Sequence, residues 1–174
     1  MPRVAVIVDD SFEDAEFRVP CDQLRKAGHQ VVIVGREAGL ELTGKKGHEK
    51  VRTDLSVCDA SAEDFDALVI PGGYSPDRLR TDGRMVGFTL DFFLQGKTVA
   101  AICHAGSMLV EADVADGRTV TSWPSIKRDL INAGAHWVDR EVVEDGNLIT
   151  SRTPDDLPAF CREIIVAMGG RVTV

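Results

Sequence analysis

The chain has little with which to tie itself together covalently. Its four cysteines, at positions 21, 58, 103 and 161, are far apart, and none belongs to a C-x-x-C pair. That spacing suits neither a disulfide framework nor a zinc site, and reduced thiols in a reducing compartment fit better. No run approaches the roughly 20 apolar residues of a membrane span. Met1-Pro2-Arg3 leads straight into a strand pattern rather than into the apolar stretch of a signal peptide. A cytoplasmic location away from membranes is therefore expected. Basic blocks are missing too: 20 Lys and Arg stand against 28 Asp and Glu, a net charge of −8. Nucleic acid is accordingly not expected as a primary partner. The sequence shows no internal repeat, linker or low-complexity segment, and its 174 residues suit one compact domain, 1–174.

What is present alternates. Apolar strand patterns at Arg3 to Val8, Gln30 to Val34, Ala67 to Ile70 and Thr98 to Ile102 are separated by helical patterns. That order predicts an α/β fold with a mostly parallel sheet. The first helix is expected from Glu13 to Ala27, closed by Gly28 and kinked at Pro20. The polar stretch from Leu40 to Leu55 reads as a small antiparallel excursion at the sheet edge. Val86, Leu90, Phe93 and Leu94 form an apolar stripe that Gly96 stops. Val120-Thr121-Ser122 reads as a short strand, and Pro124 opens a helix that ends at Asn132-Ala133-Gly134. Glu141-Val142-Val143 and Leu148-Ile149-Thr150 read as a hairpin. The last helix carries Leu157, Phe160, Cys161, Ile164, Ile165 and Met168 on one stripe, which makes Cys161 a packing residue.

Cys103 stands apart from that kind of cysteine. It ends an apolar run, His104 follows it, and small residues then open a helix. A nucleophile on such a strand-to-helix turn sits on an exposed elbow, where the next backbone N–H can meet an oxyanion and the helix N-terminus favours a thiolate. In open parallel sheets, sites form beyond the carboxyl ends of the strands. Asp9-Asp10-Ser11-Phe12-Glu13, Gly72-Gly73 and Cys103-His104 all fall at that edge. Gly72 and Gly73 make either a plain tight turn or a close-approach backbone donor for an oxyanion. Glu13 offers a carboxylate to the thiol, or simply an acid in the first turn of a helix. Trp123 either packs in the core or an interface, or walls the pocket. His29, His48 and His136 read as surface or packing residues.

These residues resemble the PfpI intracellular cysteine proteases, in the class I glutamine amidotransferase-like superfamily that also includes the Parkinson-disease protein deglycase. The likeness is carried by Phe12-Glu13-Asp14, Ile70-Pro71-Gly72-Gly73 and Ala101-Ile102-Cys103-His104. It continues through Thr121-Ser122-Trp123-Pro124-Ser125-Ile126 and Asn132-Ala133-Gly134 to Asp145-Gly146-Asn147-Leu148-Ile149-Thr150-Ser151-Arg152. The resemblance implies a flavodoxin-like three-layer sandwich with Cys103 as nucleophile, His104 as its partner and Glu13 holding the thiol. It further implies an acid lent by a neighbouring subunit, within a homodimer that can assemble into a hexamer. The family has Glu at that position and this chain has Asp77; the residue after His104 is Ala105 where many members have Gly. A glutaminase of the superfamily would want a downstream His-x-Glu, whereas His136 is followed by Trp137 and Val138. The implied protein is a stress-response enzyme without metal or organic cofactor, a peptidase or a glyoxalase or deglycase. Its substrates would be small aldehydes, peptides or glycated proteins. The alternative is a redox-sensing or chaperone-like protein in which Cys103 is oxidised.

Overall fold

A computed structural model describes residues 1–170, so the last four residues of the expected domain lie outside the described residues. In chain order, β1 (Arg3–Ile7), α1 (Asp14–Lys26) and β2 (Gln30–Gly35) are followed by a hairpin of β3 (Glu41–Thr43) and β4 (Lys50–Arg52). Next come β5 (Leu55–Ser56), β6 (Ala67–Ile70), α2 (Ser75–Leu79), α3 (Gly83–Leu94), β7 (Thr98–Ile102) and α4 (Gly106–Glu111). The chain then runs through β8 (Thr119–Val120), α5 (Lys127–Asn132), β9 (His136–Trp137), β10 (Val143–Asp145), β11 (Leu148–Ser151) and α6 (Leu157–Ala167).

Seven strands form the central sheet in the order β10-β11-β7-β6-β1-β2-β5. All its pairings are parallel except that of β10 with β11. Period-two alternation divides the core between the two faces. Ala5, Ile7, Leu68, Ile70, Val99 and Ala101 face the layer that holds α3, α4 and α5. Val4, Val6, Val69, Ala100 and Ile102 face α1 and α6, with Phe17, Leu24, Phe160 and Ile164. The result is the expected α/β three-layer sandwich with a mostly parallel sheet.

Three local readings need correction. In α3 the buried face is Met85, Phe88, Thr89 and Phe92, whereas Leu94 is 75% exposed, because two residues on from Phe92 it falls on the opposite side of the helix. The strand expected at Val120-Thr121-Ser122 is instead Thr119–Val120, and it pairs with β9 outside the main sheet. Thr121 has left that ladder, its N–H donating to Thr150 Oγ1 at 3.0 Å. The β10–β11 hairpin pairs Asp145 with Leu148, so its turn is Gly146-Asn147, with Gly146 at φ +58°. Helix α1 runs unbroken past Pro20, and the excursion between Leu40 and Leu55 is the antiparallel pair β3–β4.

The order β7-β6-β1 puts the carboxyl ends of these three strands side by side. Their loops are then laced together: Glu13 N–H donates to Gly72 O at 3.0 Å and Tyr74 N–H to Ser11 O at 2.8 Å, while Phe12 bridges Gly73. No helix among the described residues is long and apolar enough to cross a membrane.

Candidate active site

Cys103 follows the last residue of β7 and adopts φ +63°. A left-handed non-glycine residue costs on the order of 1–3 kcal/mol and persists only where its surroundings impose it. Here the imposition comes from β7 arriving on one side and a tight turn into α4 leaving on the other. The backbone N–H groups of His104 and Gly73 lie near enough to the sulfur to favour its charged form. They are two of the three donors expected at an oxyanion; the third, Gly72 N–H, is taken by Glu16 Oε1 at 2.9 Å. The elbow itself is not exposed: Cys103 retains 7% of its accessible surface.

The carboxyl that faces the thiol belongs to Glu16 rather than Glu13. Glu16 is fully buried, and its Oε1 accepts from Gly72 N–H at 2.9 Å. A Cβ built on Gly72 would collide with Glu16 Oε1 and lie 2.8 Å from Cys103 Cβ, so carboxyl and thiol close over one stretch of bare backbone. Glu13 is also buried, but its carboxylate is taken by Lys45 Nζ at 2.6 Å and Lys46 Nζ at 2.9 Å. The expectation that Glu13 holds the thiol fails in this geometry because two ammonium groups claim it first.

These surroundings set the charges. Burial, reinforced by the nearby charge of Glu13, pushes the Glu16 carboxyl up to about 8 against the pull of the Gly72 N–H. Glu16 is therefore a neutral acid at pH 7, able to donate a hydrogen bond. Burial, followed by the charge that Glu16 acquires above about pH 8, pushes the Cys103 thiol up to about 12, so burial works against the thiolate expected from a helix N-terminus. The α4 helix has only six residues, and its N-terminus does not outweigh desolvation. For Glu13, burial raises the carboxyl, yet the hydrogen bonds and charges of Lys45 and Lys46 together bring it below the ordinary carboxylate range.

Burial, followed by the charge of Lys45, lowers His104 and keeps its imidazole neutral. Its Nδ1 lies 3.3 Å from Cys103 Sγ and its Nε2 lies 3.2 Å from Ser125 Oγ. A serine hydroxyl can donate or accept, so Nδ1 is available as the acceptor of the thiol proton. Ser125 carries no signal of its own in the sequence. Trp123 is 40% exposed, its ring centroid 6.3 Å from that of His104, and its backbone N–H donates to Cys103 O at 3.2 Å. It stands beside the site and outside the core.

A cavity of about 340 Å³ opens next to His104 and is lined by Gly73, Tyr74, Asp77, Arg80, His104 and Ser107. Asp77 is exposed, in the first turn of α2, on the wall of its own chain's cavity. Arg80 and Ser107 also line an adjoining cavity of about 330 Å³ that reaches Asp129 and Asn132. The space beside His104 thus exceeds that needed for a two- or three-carbon compound.

Known proteins resemble this chain along nearly its whole length. Protein/nucleic acid deglycase 2 of Escherichia coli K12 is 50% identical over 168 residues, covering 96% of this chain and 98% of the relative. A candidate cysteine protease of Bacillus subtilis, YraA, is 50% identical over 161 residues, covering 92% of this chain and 95% of its own. Among solved structures, Drosophila melanogaster DJ-1beta superimposes with a TM-score of 0.91 at 31% identity, covering 98% of this chain and 91% of that one. The model of the DJ-1/PfpI family matches residues 2–167, and the chain belongs to that family.

Proposed function

We propose that the protein is a cysteine-dependent enzyme that acts on reactive aldehydes and their amine adducts, a deglycase or glyoxalase type of activity. The observation that carries this reading is the convergence on Cys103 Sγ of two backbone N–H groups, a neutral imidazole nitrogen and a protonated carboxyl. As Sγ forms a bond to the carbonyl carbon, the carbonyl π pair moves to oxygen and the thiol proton passes to His104 Nδ1. The N–H groups of Gly73 and His104 are placed for the oxyanion. Return of the proton from His104 to that oxygen completes a hemithioacetal. Glu16 stays protonated and donates to the sulfur while negative charge is on it.

The name of the Escherichia coli relative supports the deglycase branch, and that of the Bacillus subtilis relative keeps peptides in the assay. Net charge argues against nucleic acid as a partner, yet the deglycase's name puts glycated nucleic acid among the substrates to be tried. Oxidative sensing is the weaker reading: peroxide attacks exposed thiolates, and this thiol is buried and held protonated.

Methylglyoxal, a glycated peptide, glycated oligonucleotide and unfolded casein should be assayed with wild type and Cys103→Ser. Turnover on the aldehyde or an adduct, reduced in the mutant by about 10³-fold or more, is the expected result. Equal rates in both proteins would overturn the reading. The acid for His104 belongs to the same proposal, with Asp77 reaching the site of a second copy in a dimer. Mixed after co-refolding, Cys103→Ser and Asp77→Asn chains should recover part of the activity that neither has alone; no recovery would remove the acid in trans.

A further inference from the structure

Glu13 is built to hold a cation. It precedes α1 without capping that helix, and its buried carboxylate receives both Lys45 and Lys46. Those lysines come from the turn 44–49 between β3 and β4, which is pinned in place from the α1 side. Asp14 accepts the N–H groups of Lys46, His48 and Glu49, each at 2.9 Å. Lys45 N–H donates to Phe12 O at 2.8 Å, and Gly44 packs so closely on the Asp14 carboxylate that a Cβ would collide with it. The turn therefore delivers Lys45 to a fixed place. Its Nζ lies 6.0 Å from the centroid of the Tyr74 ring, and Tyr74 forms the wall of the cavity beside Gly73 and His104. The Lys45 side chain is 32% exposed against 54% for Lys46, which puts Lys45 on the inner side of the pair. Its charge acts on Cys103, His104 and Glu16 alike.

We infer that Lys45, positioned by Glu13, is a specificity-determining residue that receives the carboxylate of an electrophilic substrate while Cys103 attacks the neighbouring carbon. One buried carboxylate shared between two ammonium groups fixes Lys45 without neutralising both cations, and the Tyr74 face offers a second support. Among reactive carbonyl compounds and their adducts, those that carry a carboxylate near the reacting carbon are thus favoured. This rests on the reading of Cys103 as nucleophile, and the test separates the two.

Iodoacetate and iodoacetamide suit the purpose, since Sγ displaces iodide from the same CH₂ group in each and only the first is anionic. The rate of Cys103 alkylation by each should be followed at the peptide level by mass spectrometry, which also separates it from the exposed Cys58. A change in thiolate fraction moves both rates equally, so the ratio of the two isolates recognition of the carboxylate. In Lys45→Met the iodoacetate-to-iodoacetamide ratio should fall about tenfold; in Lys45→Arg it should be largely retained. Lys46→Met should change it by less than about twofold, as a rim charge does. Glu13→Gln should lower the ratio because Lys45 loses its tether, whereas a carboxylate that merely cancels the charge would raise it. An unchanged ratio in Lys45→Met, or a raised one in Glu13→Gln, overturns the inference while leaving Cys103 as nucleophile. Failure of both reagents to label Cys103 in wild type would instead sink both readings.

Discussion

Replacing Glu16 with glutamine should remove most of the pH dependence of stability between about pH 4.5 and about pH 8, where the wild-type protein loses stability. An unfolded chain releases the Glu16 proton near its ordinary 4.5, while the folded protein keeps it until about 8. Between those values the folded state binds the extra proton, so stability falls as pH rises. The contribution is fully present below about 4.5 and gone above about 8. Integrated over that window it amounts to at most roughly 5 kcal/mol, taking 1.36 kcal/mol for each pH unit. Glutamine has no proton to lose, yet it keeps an oxygen for Gly72 N–H and an amide donor for the sulfur. The difference in melting temperature, Glu16→Gln minus wild type, should therefore grow steadily from pH 5 to pH 8.5. Titrations elsewhere in the chain are common to both proteins and cancel in that difference. Parallel melting curves across the range would show that Glu16 is not a buried neutral acid.

That carboxyl also marks the boundary of what could be read from the sequence. The strands were legible because each is a short apolar run whose residues alternate between two packed faces, Val4 and Val6 to one and Ala5 and Ile7 to the other. Cys103-His104 and Gly72-Gly73 were legible because they terminate such runs, and parallel topology forces the ends of neighbouring strands together. Glu13 and Glu16 lie three residues apart at the start of α1, and both are in phase with its buried stripe of Phe17, Pro20, Cys21 and Leu24. Periodicity cannot choose between them. The choice is made by Lys45 and Lys46, on a turn distant in sequence that only the folded hairpin brings to Glu13. What the sequence does show is a second acid at helical spacing on an apolar stripe, which needs a partner once buried. Ser125 escaped for a related reason. Its contact with His104 depends on the path of the chain after Trp123, which no local pattern fixes. At Cys103 a helix start of only six residues favours the thiolate while burial opposes it, a balance that local sequence does not reveal.

The two glycines at the end of β6 should fail in different ways when each is changed to alanine. At Gly72 the added methyl meets Glu16 Oε1 and Cys103 Cβ, both in the site itself, and the backbone oxygen of Ile102 at 2.9 Å. The Glu16 side chain can yield, but only by separating the carboxyl from the sulfur and loosening its contact with Gly72 N–H. Overpacking of this kind costs about 1–3 kcal/mol, and Cys103 alkylation should slow by about tenfold or more, as expected when reacting groups are misplaced by about 1 Å. At Gly73 the obstacle is backbone. The residue has φ +79°, and a Cβ would lie 2.7 Å from both Phe12 C and Ser11 O. A left-handed alanine costs roughly 1–2 kcal/mol by itself. The clash can be relieved only by opening the Phe12–Gly73 bridge and the hydrogen bond from Tyr74 N–H to Ser11 O, which lace β1 to β6. Gly73→Ala should therefore be the less stable of the two in urea. Gly72→Ala should instead show the greater loss of alkylation rate for each kcal/mol of stability it gives up. A Gly72→Ala protein alkylated at the wild-type rate would show that the Glu16–Cys103 contact does not govern the thiol. A Gly73→Ala protein with wild-type stability would show that this lacing is not what holds the site together.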